Sequence, residues 1–258
     1  TDNTAFGKNA LDAITSATDN VAVGHDAGTA VTTGGFSVFV GADAGKAQTT
    51  GNTNVGIGYQ ALAANVDGDR NTAVGTLAFA ALDPSSNADM ENVAVGYYAG
   101  AANTTGDYNT FLGALAGTSV TTGAQNILIG RYAGGGFDTE NHNLAIGRNA
   151  LGGSVAGGEY NVGVGNYTLD ALTSGDNNVA VGYAALSAVG SGYDNVAIGQ
   201  GAALNHTDGQ GMVCIGHNAG QSNLTGGSNI CIGKNSDTNG SNNSSSIAIG
   251  TSISAVSN

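Results

Sequence analysis

Asn178-Val-Ala-Val-Gly-Tyr-Ala-Ala-Leu186 is the stretch that decides the fold, because variants of it return along the whole chain. Its first five residues form a core whose Gly falls at 7, 24, 41, 58, 75, 96, 113, 130, 147, 165, 182, 199, 216, 233 and 250. The gaps are 17 residues, except 21 between Gly75 and Gly96 and 18 between Gly147 and Gly165. Self-similarity at one fixed period marks a repeat architecture, in which each unit buries its apolar surface against its neighbours.

Each column of the repeat carries a physical expectation. The residues one and three before the Gly are mostly β-branched or large aliphatic, as in Val21 and Val23, Val55 and Ile57, Ile247 and Ile249. Alternate residues of a strand share a face, so these pairs are expected to point into the coil. The residue between them would then point outward, yet it too is apolar in every copy. At ~4.8 Å per rung, fifteen such residues predict an outer stripe about 70 Å long. A stripe of that size marks an interface. The expected assembly is a homotrimer, intertwined or side by side. Its axis would be lined by Ala22, Phe39, Ala73, Ala94, Phe111, Leu128, Ala145, Ala180, Ala197, Cys214 and Cys231. A dimer, or a stripe covered by another domain, is the alternative.

Asn opens the core in all copies but those with Ser37, Met212 and Ser246, and stacked amides can bond one another along a coil. Three residues after the Gly stands Ala in most copies, followed by Leu or Gly, which predicts a second, shorter strand. A polar turn follows, often Thr-Thr-Gly, as at 32–34, 49–51, 104–106 and 121–123. The predicted fold is all-β: a parallel β-solenoid in the form of a two-sided β-roll, fifteen rungs of 17 residues. It makes one domain over 1–258, with insertions near 82–91 and 152–160.

Composition agrees. The 258 residues include 44 Gly but one Pro, which excludes collagen, and 41% are hydrophobic, which excludes a disordered chain. The net charge of −13 disfavours nucleic acid and anionic membranes as partners, since phosphate binding runs on Lys and Arg. No apolar run approaches the ~20 residues that span a bilayer. The chain opens in mid-pattern at Asn3-Thr-Ala-Phe-Gly7 without a visible signal peptide, and is expected to be a mature product or part of a longer fibre protein.

The Asn-Val-Ala-Val-Gly-x-x-Ala core resembles the head repeats of trimeric autotransporter adhesins. Asn54-Val-Gly-Ile-Gly-Tyr-Gln-Ala-Leu62 and Asn178–Leu186 are even more similar to repeat blocks of phage tail-fibre and related surface proteins. The resemblance covers nearly the whole chain, although the present unit is longer than the adhesin one. It implies a left-handed parallel β-roll, trimeric association, an extracellular or virion location, and a role in host or surface attachment. In some phage-type proteins such repeats precede a self-cleaving chaperone domain. This chain ends Ser252-Ile-Ser-Ala-Val-Ser-Asn258 without one.

No catalytic constellation is visible, and no enzyme or cofactor is expected. The histidines at 25, 142, 206 and 217 fall in turns or just after a corner Gly, rungs apart, and are expected on the surface. Gly134-Gly-Gly136 lacks the Gly-Lys-Ser/Thr of a phosphate loop. Cys214 and Cys231 share a column in consecutive rungs: either small hydrophobes in place of Ala, or a disulfide between rungs or chains. Asp26 and Asp43 stack likewise, and a cation such as Ca²⁺ would relieve their repulsion, though two carboxylates are few for a site.

Departures from a repeat often mark its binding side. The candidate receptor-binding loop is therefore Asp83, Pro84, Asp89, Glu91, Tyr97 and Tyr98, with a cell-surface glycan or protein as its partner, because exposed Tyr can stack on sugar faces. The expected function is a structural or adhesive fibre segment. Ice binding and polysaccharide chemistry are the alternatives. Both lack their marks, since Thr sits in adjacent turn pairs and no paired carboxylates face a groove.

Overall fold

The computed structural model describes residues 2–84, 88–153, 157–238, 240 and 242–255. It is a parallel β-solenoid, as the period predicts, and it divides into two compact units, residues 1–126 and 127–258. In the first, strands β1 (Thr4–Phe6), β2 (Val21–Val23), β3 (Val38–Val40), β4 (Val55–Ile57), β5 (Thr72–Val74), β6 (Val93–Val95) and β7 (Thr110–Leu112) pair in chain order. The second repeats the plan with β8 (Ile127–Ile129), β9 (Leu144–Ile146), β10 (Val162–Val164), β11 (Val179–Val181), β12 (Val196–Ile198), β13 (Val213–Ile215) and β14 (Ile230–Ile232). There β15 (Asp237–Thr238) and β17 (Ser254–Ala255) pair with each other, while β16 (Ile247–Ile249) continues the main ladder. All pairs are parallel and in register, Ala22 beside Phe39 and Cys214 beside Cys231.

The insertions are absorbed without a shift of register, since Thr72 pairs Val93 and Leu144 pairs Val162 across them. Residues 85–87 and 154–156 of those insertions, and the terminal residues 256–258, lie outside the described residues.

Every strand of the main ladder is three residues long and is followed by a Gly whose backbone turns the corner. At Gly24, φ is 141° and an added Cβ would stand 2.5 Å from the carbonyl oxygen of Gly41. Corner backbones of adjacent rungs stack so closely that a side chain does not fit between them.

The two faces of the strand are opposite to the expectation. Ala22, Phe39, Ala73, Ala94, Phe111, Leu128, Ala145, Ala180, Ala197, Cys214 and Cys231 are all buried inside the coil, so they cannot line an axis between chains. Their β-branched neighbours point outward instead, partly or largely exposed. Seventeen residues per turn enclose a narrow interior, and the narrow side takes the column of small residues. Two β-branched residues per rung have no room there.

The second strand is also corrected. After each corner Gly the backbone enters a run of turns, with left-handed residues such as Leu11 (φ 52°), Leu62 (φ 53°) and Phe79 (φ 47°). Its amides still bond from rung to rung: Leu11 donates to the Ala27 carbonyl (3.1 Å) and Gly28 to that of Ala44 (2.9 Å). Thus one leg of each rung is strand and the other a stack of turns.

Packing inside follows a volume exchange between two columns. Where the strand centre holds a large residue, the position four after the corner is Gly: Phe39 lies against Gly28 and Gly45, Phe111 against Gly100 and Gly117, Leu128 against Gly134. Beside the small strand centres Gly56, Ala145, Gly163 and Ala180 that position takes Leu62, Leu151, Leu169 and Leu186, all buried, whereas beside Ala22 and Ala94 it stays Gly (Gly28 and Gly100) and leaves room for Phe39 and Phe111 of the next rung. In the core the rings of Phe79 and Phe111 meet, with centroids 5.7 Å apart.

A buried polar seam runs beside this core, as the Asn column predicts. Asn178 Nδ2 donates to Gly192 O (2.9 Å) and to Asn161 Oδ1 (3.1 Å). Its own Oδ1 accepts from the Asn195 backbone N–H (3.1 Å). The same pattern holds at Asn20, Asn92, Asn109, Asn161 and Asn195. Ser37 keeps part of it, its Oγ accepting from Asn54 N–H (3.1 Å). Buried amides tied at both ends cost no unmet hydrogen bond.

Candidate interaction surface

The outward face of each unit is built from alternate residues around the strand. The residues three and one before the corner Gly form two uncharged, mostly apolar columns, with Thr4, Thr72 and Thr110 the polar members. Among their most exposed members are Val93 (37%), Leu112 (45%), Ile198 (40%) and Ile215 (37%). No residue in either column is charged. Seven or eight rungs at ~4.8 Å, about 10 Å wide, give each unit roughly 350 Å² of flat apolar face.

The two rims of this face differ in charge. Directly after the corner Gly stand Lys8, His25, Arg131, Arg148, His217 and Lys234, all exposed, and this column contains no acidic residue. Five before the Gly stand Asp2, Asp19, Glu91 and Asp194, also exposed. Asp69, Asp107, Glu159 and Asp176 lie beside them in the preceding column, half-buried. The one Lys or Arg on the acidic rim, Arg70, is neutralised by ion pairs to Asp89 and to Glu91 (3.5 Å).

The sequence reading missed this face because it assigned the apolar stripe to the middle column. Residue size held the signal: the small column belongs inside a thin coil. The charge segregation was also visible once the chain is set out in 17-residue rows.

The candidate receptor loop does not converge on one place. Arg70 draws Asp89 and Glu91 together, and the backbone at Asp89 forms an isolated parallel β-bridge with that at Asp69. Asp83 is fixed elsewhere, its N–H bonded to Thr104 O (2.9 Å), while Pro84 packs beside Gly68. Tyr97 and Tyr98 lie past the corner, on the other side of β6 from Glu91, with ring centroids 4.4 Å apart. Desolvation and the hydrogen-bonded Tyr98 beside it raise the Tyr97 hydroxyl pKa. Further rings line the rims: Tyr167 meets Tyr183 edge-on at 5.9 Å and carries the Arg148 guanidinium over its face, and Tyr160 stacks on His142 at 4.8 Å.

Asp26 and Asp43 do come together, and His25 joins them, with potential ligand atoms all within 4.8 Å of one another. Their charge is already met in part. His25 Nδ1 lies 3.1 Å from Asp26, Asn9 donates to Asp26 (2.8 Å), and the Lys46 ammonium is 3.8 Å from Asp43.

His206 corrects the expectation of surface histidines. It is buried among the core residues, with Nδ1 3.3 Å from the Asn223 carbonyl and Nε2 without a hydrogen bond among the described residues. Burial lowers its pKa. Cys214 and Cys231 are free thiols in the core, and the hydrogen bond to Cys231, with burial, pushes Cys214 well above the usual thiol range. The turn threonines are committed to the coil: Thr15 and Thr32 hydroxyls donate to the carbonyls of Thr32 (2.9 Å) and Thr49 (3.2 Å). They are not a free hydroxyl array.

Comparisons with protein-family models, with curated proteins and with solved structures found no match.

Proposed function

We propose that this chain is a structural or adhesive segment of an extracellular or virion fibre, acting as a homotrimeric shaft or head in host or surface attachment. The observation that carries the reading is the uncharged Val/Ile face that each unit leaves exposed on the outside of its coil. An apolar face of that extent normally meets a partner, and a second copy supplies one with the same rung spacing. The resemblance of the Asn-Val-Ala-Val-Gly repeat to adhesin-head and tail-fibre repeats supports three copies rather than two. Exposed Tyr59, Tyr97 and Tyr183 on the rim offer ring faces to a glycan, while the Asp89/Glu91 loop is the second candidate contact for a receptor.

Light scattering on the purified chain tests the assembly. The expected mass is near three times 25.1 kDa. The variant Ile198→Asp/Ile215→Asp, which charges the outward face, is expected to run as a folded monomer. A monomeric native chain would overturn the reading, as would a double variant that stays trimeric.

A further inference from the structure

Cys214 and Cys231 are the two cysteines of the chain, and they stand in one column, 17 residues and one turn of coil apart. The ladder between β13 and β14 pairs them directly, and both side chains are buried inside the coil. Neighbouring strands lie ~4.8 Å apart. That falls inside the window of about 4.4–6.8 Å that separates the Cα atoms of bonded cysteines. Gly220, across the interior, makes the room. A Cβ built there would run into Cys214 Sγ, and it would stand 3.5 Å from Cys214 Cβ and 3.8 Å from Cys231 Cβ. Both thiols therefore border the same small space, and the Cys214 thiol donates a hydrogen bond to Cys231.

We propose that Cys214 and Cys231 are a redox-active pair that closes into a disulfide between consecutive rungs, making one turn of the coil a covalent ring. This stands apart from the assembly proposed above, since both residues lie inside one unit of one chain. The oxidant is a low-molecular-weight disulfide such as oxidised glutathione. Cys231 is the attacking sulfur, because the hydrogen bonds it accepts from Cys214 and from the Thr238 backbone favour its thiolate. It bonds to one sulfur of the reagent, whose S–S bond breaks and releases one reagent thiolate. Cys214, as its thiolate, then attacks Cys231 Sγ and expels the second. The two cysteine protons end on the two released thiolates. The cysteines lose two electrons and the reagent gains them. The reagent reaches the pair when these rungs open. Once they close again, the register of β13 and β14 holds the two sulfurs together, whereas in an unfolded chain the 17-residue separation must be closed against its entropy.

Equilibration with reduced and oxidised glutathione tests this, in buffer and in urea, starting from both the reduced and the oxidised chain. After an acid quench, intact mass reads the internal bond as the loss of two hydrogens with no glutathione retained. The equilibrium constant for closure is expected to be about a hundredfold larger in the folded chain than in urea, the factor by which a bond closing a loop of this length stabilises a fold. By the same linkage, oxidation should raise the urea midpoint of the native chain and dithiothreitol should restore it. Cys231→Ser, folded by circular dichroism, should show neither shift. An equal or smaller constant in the folded chain overturns the proposal, because the native packing would then oppose the bond. A folded chain that accumulates glutathione adducts or disulfide-linked dimers in place of the internal bond overturns it too.

Discussion

Phe39 occupies the space that Gly45 leaves empty: a Cβ built on Gly45 would lie 2.2 Å from the Phe39 ring. The same exchange recurs wherever the strand centre is large, so the core is packed by trading volume between two columns six residues apart. This is how a strictly periodic backbone tolerates side chains from Gly to Phe at one position.

Gly45→Ala should therefore destabilise the first unit by about 3 kcal/mol, combining an overpacked core with a left-handed residue (φ 57°) that now bears a Cβ. Phe39→Ala should cost about as much through the cavity it leaves. The double variant Phe39→Ala/Gly45→Leu recreates the arrangement around Leu62, where the strand centres are Gly56 and Ala73, and should recover most of the loss. Urea unfolding of the four proteins gives the coupling directly; additive losses would contradict the exchange.

The Asn seam makes a second prediction. Asn178→Ala leaves the Gly192 carbonyl and the Asn195 N–H buried without their partners, at a cost of about 3 kcal/mol. Asn178→Ser should cost less than half of that. Ser37, in the same column, already accepts the N–H of the next rung. Equal losses in the two variants, measured by chemical unfolding, would show that the amide's bonds are not what stabilises the seam.

What the sequence made legible, and what it did not, divides along one physical line. The period, the corner Gly and the Asn seam rest on backbone geometry, which repeats without regard to side-chain size. They were readable from the positions of Gly24, Gly41 and Asn178 alone. Which strand face is inside depends on how wide the coil is, and alternation is symmetric between the two faces. The small residues of the middle column and the Phe39–Gly45 exchange break that symmetry, the exchange because two positions that vary in opposite directions must share one space. The second leg was misread because Ala-Leu pairs look like strand, whereas Leu11 and Leu62 adopt left-handed angles that strands exclude. The candidate receptor residues were chosen on an insertion whose parts the coil distributes over several faces.

His206 gives a pH dependence with a definite sign. Burial lowers its folded pKa below the ordinary 6.5, so the unfolded chain binds a proton that the folded chain resists. The stabilising contribution of the neutral ring is complete above pH 6.5 and is lost as pH falls below it. Nearby Asp208 opposes this weakly, since its attraction for the imidazolium is among the smaller influences on the ring. The melting temperature of the native chain should drop between pH 7.5 and 5. In His206→Leu, which copies the residue type at Leu172 in this column, that part of the drop should vanish. An unchanged pH profile in the variant would assign the dependence to other groups.

Cys214 and Cys231 report which face of the strand is inside. On the outward reading of the middle column, both thiols of a dissociated chain would react freely with iodoacetamide. In the structure both are buried, side by side in register and without a disulfide, and the Cys231 hydrogen bond together with burial disfavours the thiolate of Cys214, the form that reacts. Alkylation of the folded chain should be slower than in urea by on the order of a thousandfold, because it waits on opening of the rung. The comparison belongs in the Ile198→Asp/Ile215→Asp background, where association cannot shield the thiols. Fast labelling there would return the middle column to the surface, whereas slow labelling leaves the β-branched columns as the face that meets a partner.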